Sequence, residues 1–316
     1  MTREPAAAPG TLRVDLHLHS CHSGYNRTPA LSMFKSLDCY SRPADIYRTA
    51  RSRGMNLVTI TDHDSIDGCL ELLERHPEAE DILVGEEIEC RWPGTDLRVH
   101  VGAFGMTERL HRDVQPLRAN VIETAGFLKA NGVGLVLHHP FHFFRGQVPV
   151  REYLGQLLPL VHAVEIRNAT MSEGHNVLSA RVAEGPGARP GAPLGTTGGS
   201  DAHVLRHVGV AYTEAPGRTP ADFVESLKAG RTRGGGAHGT RALLAVEIYG
   251  VVFNYWASLL GFRRSGLTTL ERLRGAALSV ASLPFQFIPI VVTLAQKGGE
   301  DRRVERWRQE WNRDEA

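Results

Sequence analysis

What this sequence has little of narrows its chemistry first. Only four cysteines occur in 316 residues (Cys21, Cys39, Cys69 and Cys90), and no two form a C-x-x-C pair. That suits a reducing, cytoplasmic compartment better than a disulfide framework. Net charge is nearly absent: 36 basic against 35 acidic side chains leaves a formal +1, with a pI of about 7.8. No global field therefore draws the chain to nucleic acid or acidic lipid. The opening MTREPAAAPGT has no hydrophobic run, so no secretory signal is read there. Internal repeats are missing as well.

Histidine, by contrast, is plentiful: fifteen, against four tryptophans and seven tyrosines. The first two of interest sit in VDLHLHS, residues 14–20, where apolar and polar residues alternate. The period of two in a strand puts Asp15, His17 and His19 on one face. Three protonatable groups on one face of a buried strand are costly to desolvate unless something satisfies them.

From Leu12 to about Gly239, β-rich runs alternate with amphipathic segments. The strand candidates are LRVDLHLHS, NLVTITDHD, DILVGEEIEC, LRVHVGAFG, GVGLVLHHP, HAVEIRNAT and LGTTGGSDAH; PADIYRTARSRG and NVIETAGFLKANG read as helices closing on glycine. GPGARPGAP, 185–193, reads as a loop. Such alternation predicts an α/β fold with a parallel sheet, open or closed into a barrel. Almost every unusual polar cluster falls at the end of a strand candidate: Asp15, His17 and His19; Asp62, His63 and Asp64; His138 and His139; Asp201 and His203. Glu86 and Glu87 lie on the third strand and His100 on the fourth. Each piece alone has an ordinary reading as a turn, a cap or a surface histidine. Together, on the rim where α/β barrels assemble their sites, they predict a metal centre. Imidazole with carboxylate suits Zn²⁺, Mn²⁺ or Fe²⁺ better than Mg²⁺ or Ca²⁺.

DLHLHS, TDHD, the GEEI run, the HP pair and GGSDAH, in this order, resemble the polymerase and histidinol phosphatase (PHP) family of metal-dependent phosphoesterases over about residues 12–240. The resemblance implies a distorted seven-stranded (β/α) barrel with two or three divalent metal ions (Mn, Zn or Fe). His17, His19, Glu87 and Asp201 would hold one ion. Glu87 would bridge to a second, held by His100 and His139, and a third would use His63 and His203. The family's G-x-E pattern selects Glu87 over Glu86, and the histidine directly before proline selects His139 over His138. One departure stands out. The family's S-D-G after the first motif is SCHSGY here, with Gly24 in place of the aspartate. Either His22 substitutes for that aspartate or the third site is weak or empty.

Two cations about 3.5–4 Å apart hold a water and clamp a phosphate, which predicts in-line hydrolysis by metal-activated hydroxide. Asp62 and His63 are the candidates near the leaving group, and Asp15 is expected to accept a hydrogen bond from a ligating imidazole. Arg167 and Arg145 are the candidate substrate contacts, because the guanidinium fork fits phosphate. The leading expectation is a phosphomonoesterase acting on a nucleotide, sugar phosphate or similar metabolite. A 5′ exonuclease or oligonucleotide phosphatase is the alternative, against which the neutral charge counts. A non-catalytic metal-binding regulatory module is a third reading, and non-phosphate hydrolysis of the amidohydrolase kind a fourth.

Composition changes after Gly239. Residues 242–262 and 275–296 are mostly apolar, with the basic patch RRSGLTTLERLRG between them, and the second run carries no formal charge over 22 residues. A C-terminal helical appendage, 241–316, packed on the barrel is the preferred reading; peripheral membrane contact through 242–296 is the other. In the tail, Val304, Trp307 and Trp311 recur at helical intervals, which predicts an apolar stripe docked on the protein itself.

Overall fold

The computed structural model describes residues 7–26, 34–185, 194–263, 266–281 and 288–315. Among these, eight strands occur: β1 (Thr11–Val14), β2 (Gly85–Arg91), β3 (Arg98–Phe104), β4 (Gly134–Leu137), β5 (Ala163–Asn168), β6 (Gly195–Gly199), β7 (Ala211–Pro216) and β8 (Arg233–Gly236). The helices are α1 (Pro43–Ser52), α2 (Asp67–Arg75), α3 (Glu108–Val114), α4 (Val121–Ala130), α5 (Val150–Leu157), α6 (Glu173–Glu184), α7 (Pro220–Lys228), α8 (Arg241–Leu259), α9 (Thr269–Ala281) and α10 (Ile288–Glu315). Local chemistry accounts for several boundaries. Pro43 opens α1, and Gly54, at φ 86°, follows its end. Asn120 accepts from the backbone N–H groups of Ile122 and Glu123 to start α4, and Thr219 with Asp222 forms a capping box on α7.

The expected seven-stranded barrel is not formed from regular strands. There are two sheets, β1–β7–β8 and β2–β3–β4–β5–β6, and they do not close on each other. Only the pairs β4–β5 and β5–β6 are parallel; β2–β3 and β3–β4 are antiparallel. The turn 92–97 joining β2 to β3 is too short for a parallel crossover. NLVTITDHD forms no strand; it runs beside its neighbours through single bridges, Val58 to Ile82 and His63 to Glu87.

A circuit nevertheless surrounds one mouth. Beyond β6, Asp201 N donates to His17 O (2.6 Å) and His19 N to Ala202 O (3.1 Å). Thr61 N donates to Leu18 O (2.9 Å), and Glu87 N, on β2, to Asp62 O (3.2 Å). Isolated bonds thus do along this arc what ladders do elsewhere, and they bring the four polar motifs side by side.

The C-terminal region is part of this body. Thr240 caps α8, its hydroxyl accepting from Leu243 N at 3.1 Å. Tyr255 and Leu259 of α8 bury against Leu37, Tyr40 and Leu267. Of the tail stripe, Val304 and Trp307 enter the main core, where the Trp307 ring lies 5.9 Å from Phe141 and 4.8 Å from Phe144. The Trp311 side chain falls outside the described residues, as do 186–193 of the Gly/Pro-rich loop and 282–287 of the uncharged run. What is described of that run belongs to two helices, the end of α9 and the start of α10. Replacing Trp307 with alanine should cost about 3 kcal/mol of unfolding free energy in urea titration; a change below 0.5 kcal/mol would mean the tail is not docked.

Candidate metal centre

The centre is built around one carboxylate. Glu87, on β2, is fully buried, and nitrogens of five histidines lie close to it. His100 Nδ1, His138 Nδ1, His17 Nε2 and His139 Nε2 stand 2.9, 3.1, 3.2 and 3.2 Å from Oε1, and His63 Nδ1 stands 2.9 Å from Oε2. Burial alone would push the Glu87 carboxyl up; His100, His17 and His63 instead hold it well below its usual range.

Side chains converge in five overlapping groups, among them His17, Glu87 and His139, then His63, Glu87 and His100, and also His17, His138 and Glu165. His17, His19 and Asp201 form a further one, and His19, His63, His203 and Asp38, at the third site expected from the sequence, form the last. Each group places its donor atoms within 4.8 Å of one another. His17 Nε2, His19 Nε2, His63 Nδ1 and Glu87 Oε2 are buried without a hydrogen-bond partner. Four orphaned polar atoms facing one another are expensive in a protein interior unless a cation accepts their lone pairs. The donor set and the orphaned atoms therefore fit divalent metal binding.

The His17 tautomer and the neutral His19 ring suit it as well. Glu165, on β5, contacts His17 Nδ1 at 2.9 Å, and a carboxylate only accepts, so the proton sits on Nδ1 and the Nε2 lone pair faces the cluster. Burial, then His63 and His203, lower the His19 pKa to about 3, keeping that ring neutral. Backbone geometry is strained at the same place. His139 (φ 22°) and Asp201 (φ 52°) adopt left-handed conformations rare for side-chain-bearing residues, costing about 1–3 kcal/mol each. Glu165 Oε2 holds the first through His139 N (2.9 Å), and His17 O holds the second. Gly199 permits the closest approach: a Cβ there would lie 2.2 Å from His17 Cβ.

A family profile described as PHP-associated matches residues 192–232, which contain the GGSDAH stretch with Asp201 and His203. Over that segment the chain is similar to the PHP-associated family. It is 28% identical over 166 residues to the uncharacterized protein MJ1587 of Methanocaldococcus jannaschii, an alignment spanning 52% of this chain and 85% of that protein. The fold is shared with PsfC from Pseudomonas syringae PB-5123 (TM-score 0.52, 20% identity, 78% of this chain and 99% of that one). An amidohydrolase from Chromobacterium violaceum superposes with TM-score 0.49 at 16% identity, covering 68% of this chain and 96% of its own.

Within this centre, several residues sit where the sequence does not put them. His22 is outside the cluster: its Nε2 meets Glu71 Oε2 at 2.9 Å. The carboxylate beside His63 and His203 is Asp38, whose Oδ2 lies 2.8 Å from His203 Nε2 and 3.6 Å from His63 Nε2. Asp15 accepts no imidazole. It binds Ser200 N and Oγ (2.8 and 2.5 Å) and Gly209 N (2.6 Å), fixing the backbone next to Asp201. Glu165 does for His17 what was expected of Asp15. Asp62 is engaged within the protein, accepting from Ser20 N, Ser20 Oγ and Ser23 Oγ at 2.6–2.7 Å. His138, passed over for His139, stacks on His17 with ring centres 4.0 Å apart.

A cleft of about 880 Å³ opens onto the cluster between Asp38, His63 and His100 on one side and Arg98, Arg145 and Arg303 on the other. Arg145 is among its lining residues. Arg167 does not line the cleft: a β-bulge follows Glu165, and the Arg167 guanidinium donates to Ile166 O of its own strand. Arg303, from α10, is the unanticipated member, and its Nε is buried without a partner.

Two substitutions separate the assignments. Asp38→Ala should remove bound metal from the third site while His22→Ala leaves stoichiometry unchanged in elemental analysis; the reverse pattern would restore His22. Glu165→Gln should weaken metal affinity by about ten- to a hundredfold, because it frees the His17 ring; unaltered affinity would show that ring needs no such support.

Proposed function

We propose that this chain is a divalent-metal-dependent phosphoesterase that removes a phosphate group from a small metabolite. The observation that carries the reading is the ring of orphaned histidine and Glu87 atoms at the floor of an arginine-walled cleft. His17, His19, Glu87 and Asp201 would hold one cation, Glu87, His100 and His139 a second, and His63, His203 and Asp38 a third. Divalent ions bound there supply Lewis acidity and a water of lowered pKa. The protein's own part is positional. Glu165 fixes the His17 tautomer, Asp15 fixes the backbone that carries Asp201, and Glu87, held ionised, contributes negative charge to the cation sites.

Substrate recognition falls to the other wall. Arg98 lies over the Phe143 ring, 4.0 Å from its centre, and 3.4 Å from Glu89 Oε2. Arg145 is pinned by the carbonyls of His142 (2.7 Å) and Phe144 (3.1 Å), leaving its fork fixed at the cleft edge. Burial and the neighbouring Arg303 and Arg98 charges lower the Arg145 pKa, although Glu300 opposes them. Guanidinium groups crowded this way gain when an anion enters between them. A phosphorylated metabolite lying with its reacting phosphate over the ligand ring and its remaining polar groups against these arginines matches the cleft.

Turnover of a phosphomonoester panel with Mn²⁺ or Zn²⁺ tests the reading. Glu87→Ala and His17→Ala should abolish it, and chelation should abolish it reversibly. Activity should fall on the acid side, since a protonated imidazole has no lone pair to give. A metal-loaded protein inert on every phosphate ester, or one with a flat acid limb, would contradict the proposal.

A further inference from the structure

Nine large hydrophobic side chains are exposed among the described residues, and eight of them lie between Tyr249 and Val291. That is a concentration, not scatter. Isolated exposed apolar residues are ordinary on a protein surface, whereas a grouped set marks an interaction site.

The geometry of α8 and α9 explains the grouping. Each helix has one face against the protein. Tyr255 and Leu259 pack beneath α8, and Gly275 of α9 sits so close to them that a Cβ would fall 2.6 Å from the Tyr255 hydroxyl. Glu247 anchors the start of α8, meeting His207 Nδ1 at 2.5 Å. Among the described residues the opposite faces are exposed: Phe253 on α8, and Leu270, Leu273 and Val280 at helical intervals along α9. The turn between the helices exposes Leu260 and Phe262, the latter 80% accessible.

Charge around these faces has one sign. From Tyr249 to Ala281 the sequence carries four arginines and a single acid, Glu271. Glu271 is already paired with Lys35 at 2.6 Å. Arg272 lies against the turn, its Nη1 3.5 Å from where a Gly261 Cβ would stand, beside Leu260 and Phe262. Apolar side chains next to arginines that outnumber the acids of the segment four to one, on a protein of nearly neutral total charge, complement an anionic lipid surface.

We propose that the α8–α9 hairpin docks the protein on the surface of an anionic bilayer. Phe253, Phe262, Leu270 and Leu273 enter the headgroup boundary, and Arg263 and Arg274 meet lipid phosphates. The hairpin lies on the membrane and does not cross it. Among the described residues α8 alone is long and apolar enough to span, but it buries Glu247, Tyr255, Ser258 and Leu259 against its own protein. The proposal is independent of the reaction assigned to the metal centre.

Flotation of the full chain with vesicles tests it. Phosphatidylglycerol-containing vesicles should carry the protein up the gradient and pure phosphatidylcholine should not. Arg263→Gln with Arg274→Gln should weaken binding by about thirtyfold, at roughly 1 kcal/mol per arginine. Phe253→Ser with Phe262→Ser should abolish flotation while circular dichroism stays that of the parent. Absence of flotation, or equal flotation on both lipids, overturns the proposal. So does resistance to alkaline carbonate extraction, which would mean a spanning helix. A parent dimer that the Phe253→Ser, Phe262→Ser pair converts to monomer in sedimentation equilibrium would assign the face to a second copy and also overturn it.

Discussion

The Glu87 carboxylate is the constraint on which the centre depends. It has no access to water, yet five imidazoles point nitrogens at it within 3.2 Å, and His19 stands 3.6 Å away. Neutral rings whose lone pairs face a carboxylate repel it, and protonated rings packed together repel one another. A divalent cation removes both conflicts, because it accepts lone pairs from rings and carboxylate alike. The irregular arc of backbone from His17 to Asp64 follows from the same demand. Regular strands would alternate side chains away from the mouth, whereas single hydrogen bonds between neighbours let consecutive motif residues crowd toward it.

The C-terminal region, compositionally distinct, is mechanically joined to this centre. Glu247 of α8 accepts from His203 N at 3.2 Å. Lys297 of α10 donates to Thr170 O (2.9 Å), and the Thr170 hydroxyl donates to Asp201 Oδ2 (2.7 Å). Glu300 lies 3.4 Å from His142 Nδ1, next to His139, and Arg303 completes a cleft wall. The helices after residue 240 therefore shape the site as much as they cover the core.

Much of the centre was legible in the sequence because its donors come in short local patterns. HLH, TDH, GEE, HHP and SDAH each carry their ligands within a few residues, so the order of motifs is enough to collect them. What escaped was set by tertiary packing. Asp38 has no motif around it, and reaches His203 only because Leu37 and Tyr40 bury under α8. In VEIRNA, period-two alternation puts Glu165 and Arg167 on one face; the bulge between them turns the arginine away and leaves the glutamate as the functional member. Arg303 lies a hundred residues beyond the last motif. The closed barrel was over-read for a related reason: apolar runs such as NLVTI announce extended chain, and not whether it ladders or touches its neighbours at single points.

Anomalous diffraction from crystals grown with Zn²⁺ or Mn²⁺ tests the central claim most directly. The account predicts at least two anomalous peaks inside the ring, with Glu87 between them and the nitrogens of His17 and His139 at about 2.1 Å. Crystals of the same fold that show those rings ordered, the cation present in the medium, and no anomalous density within reach of Glu87 would contradict it.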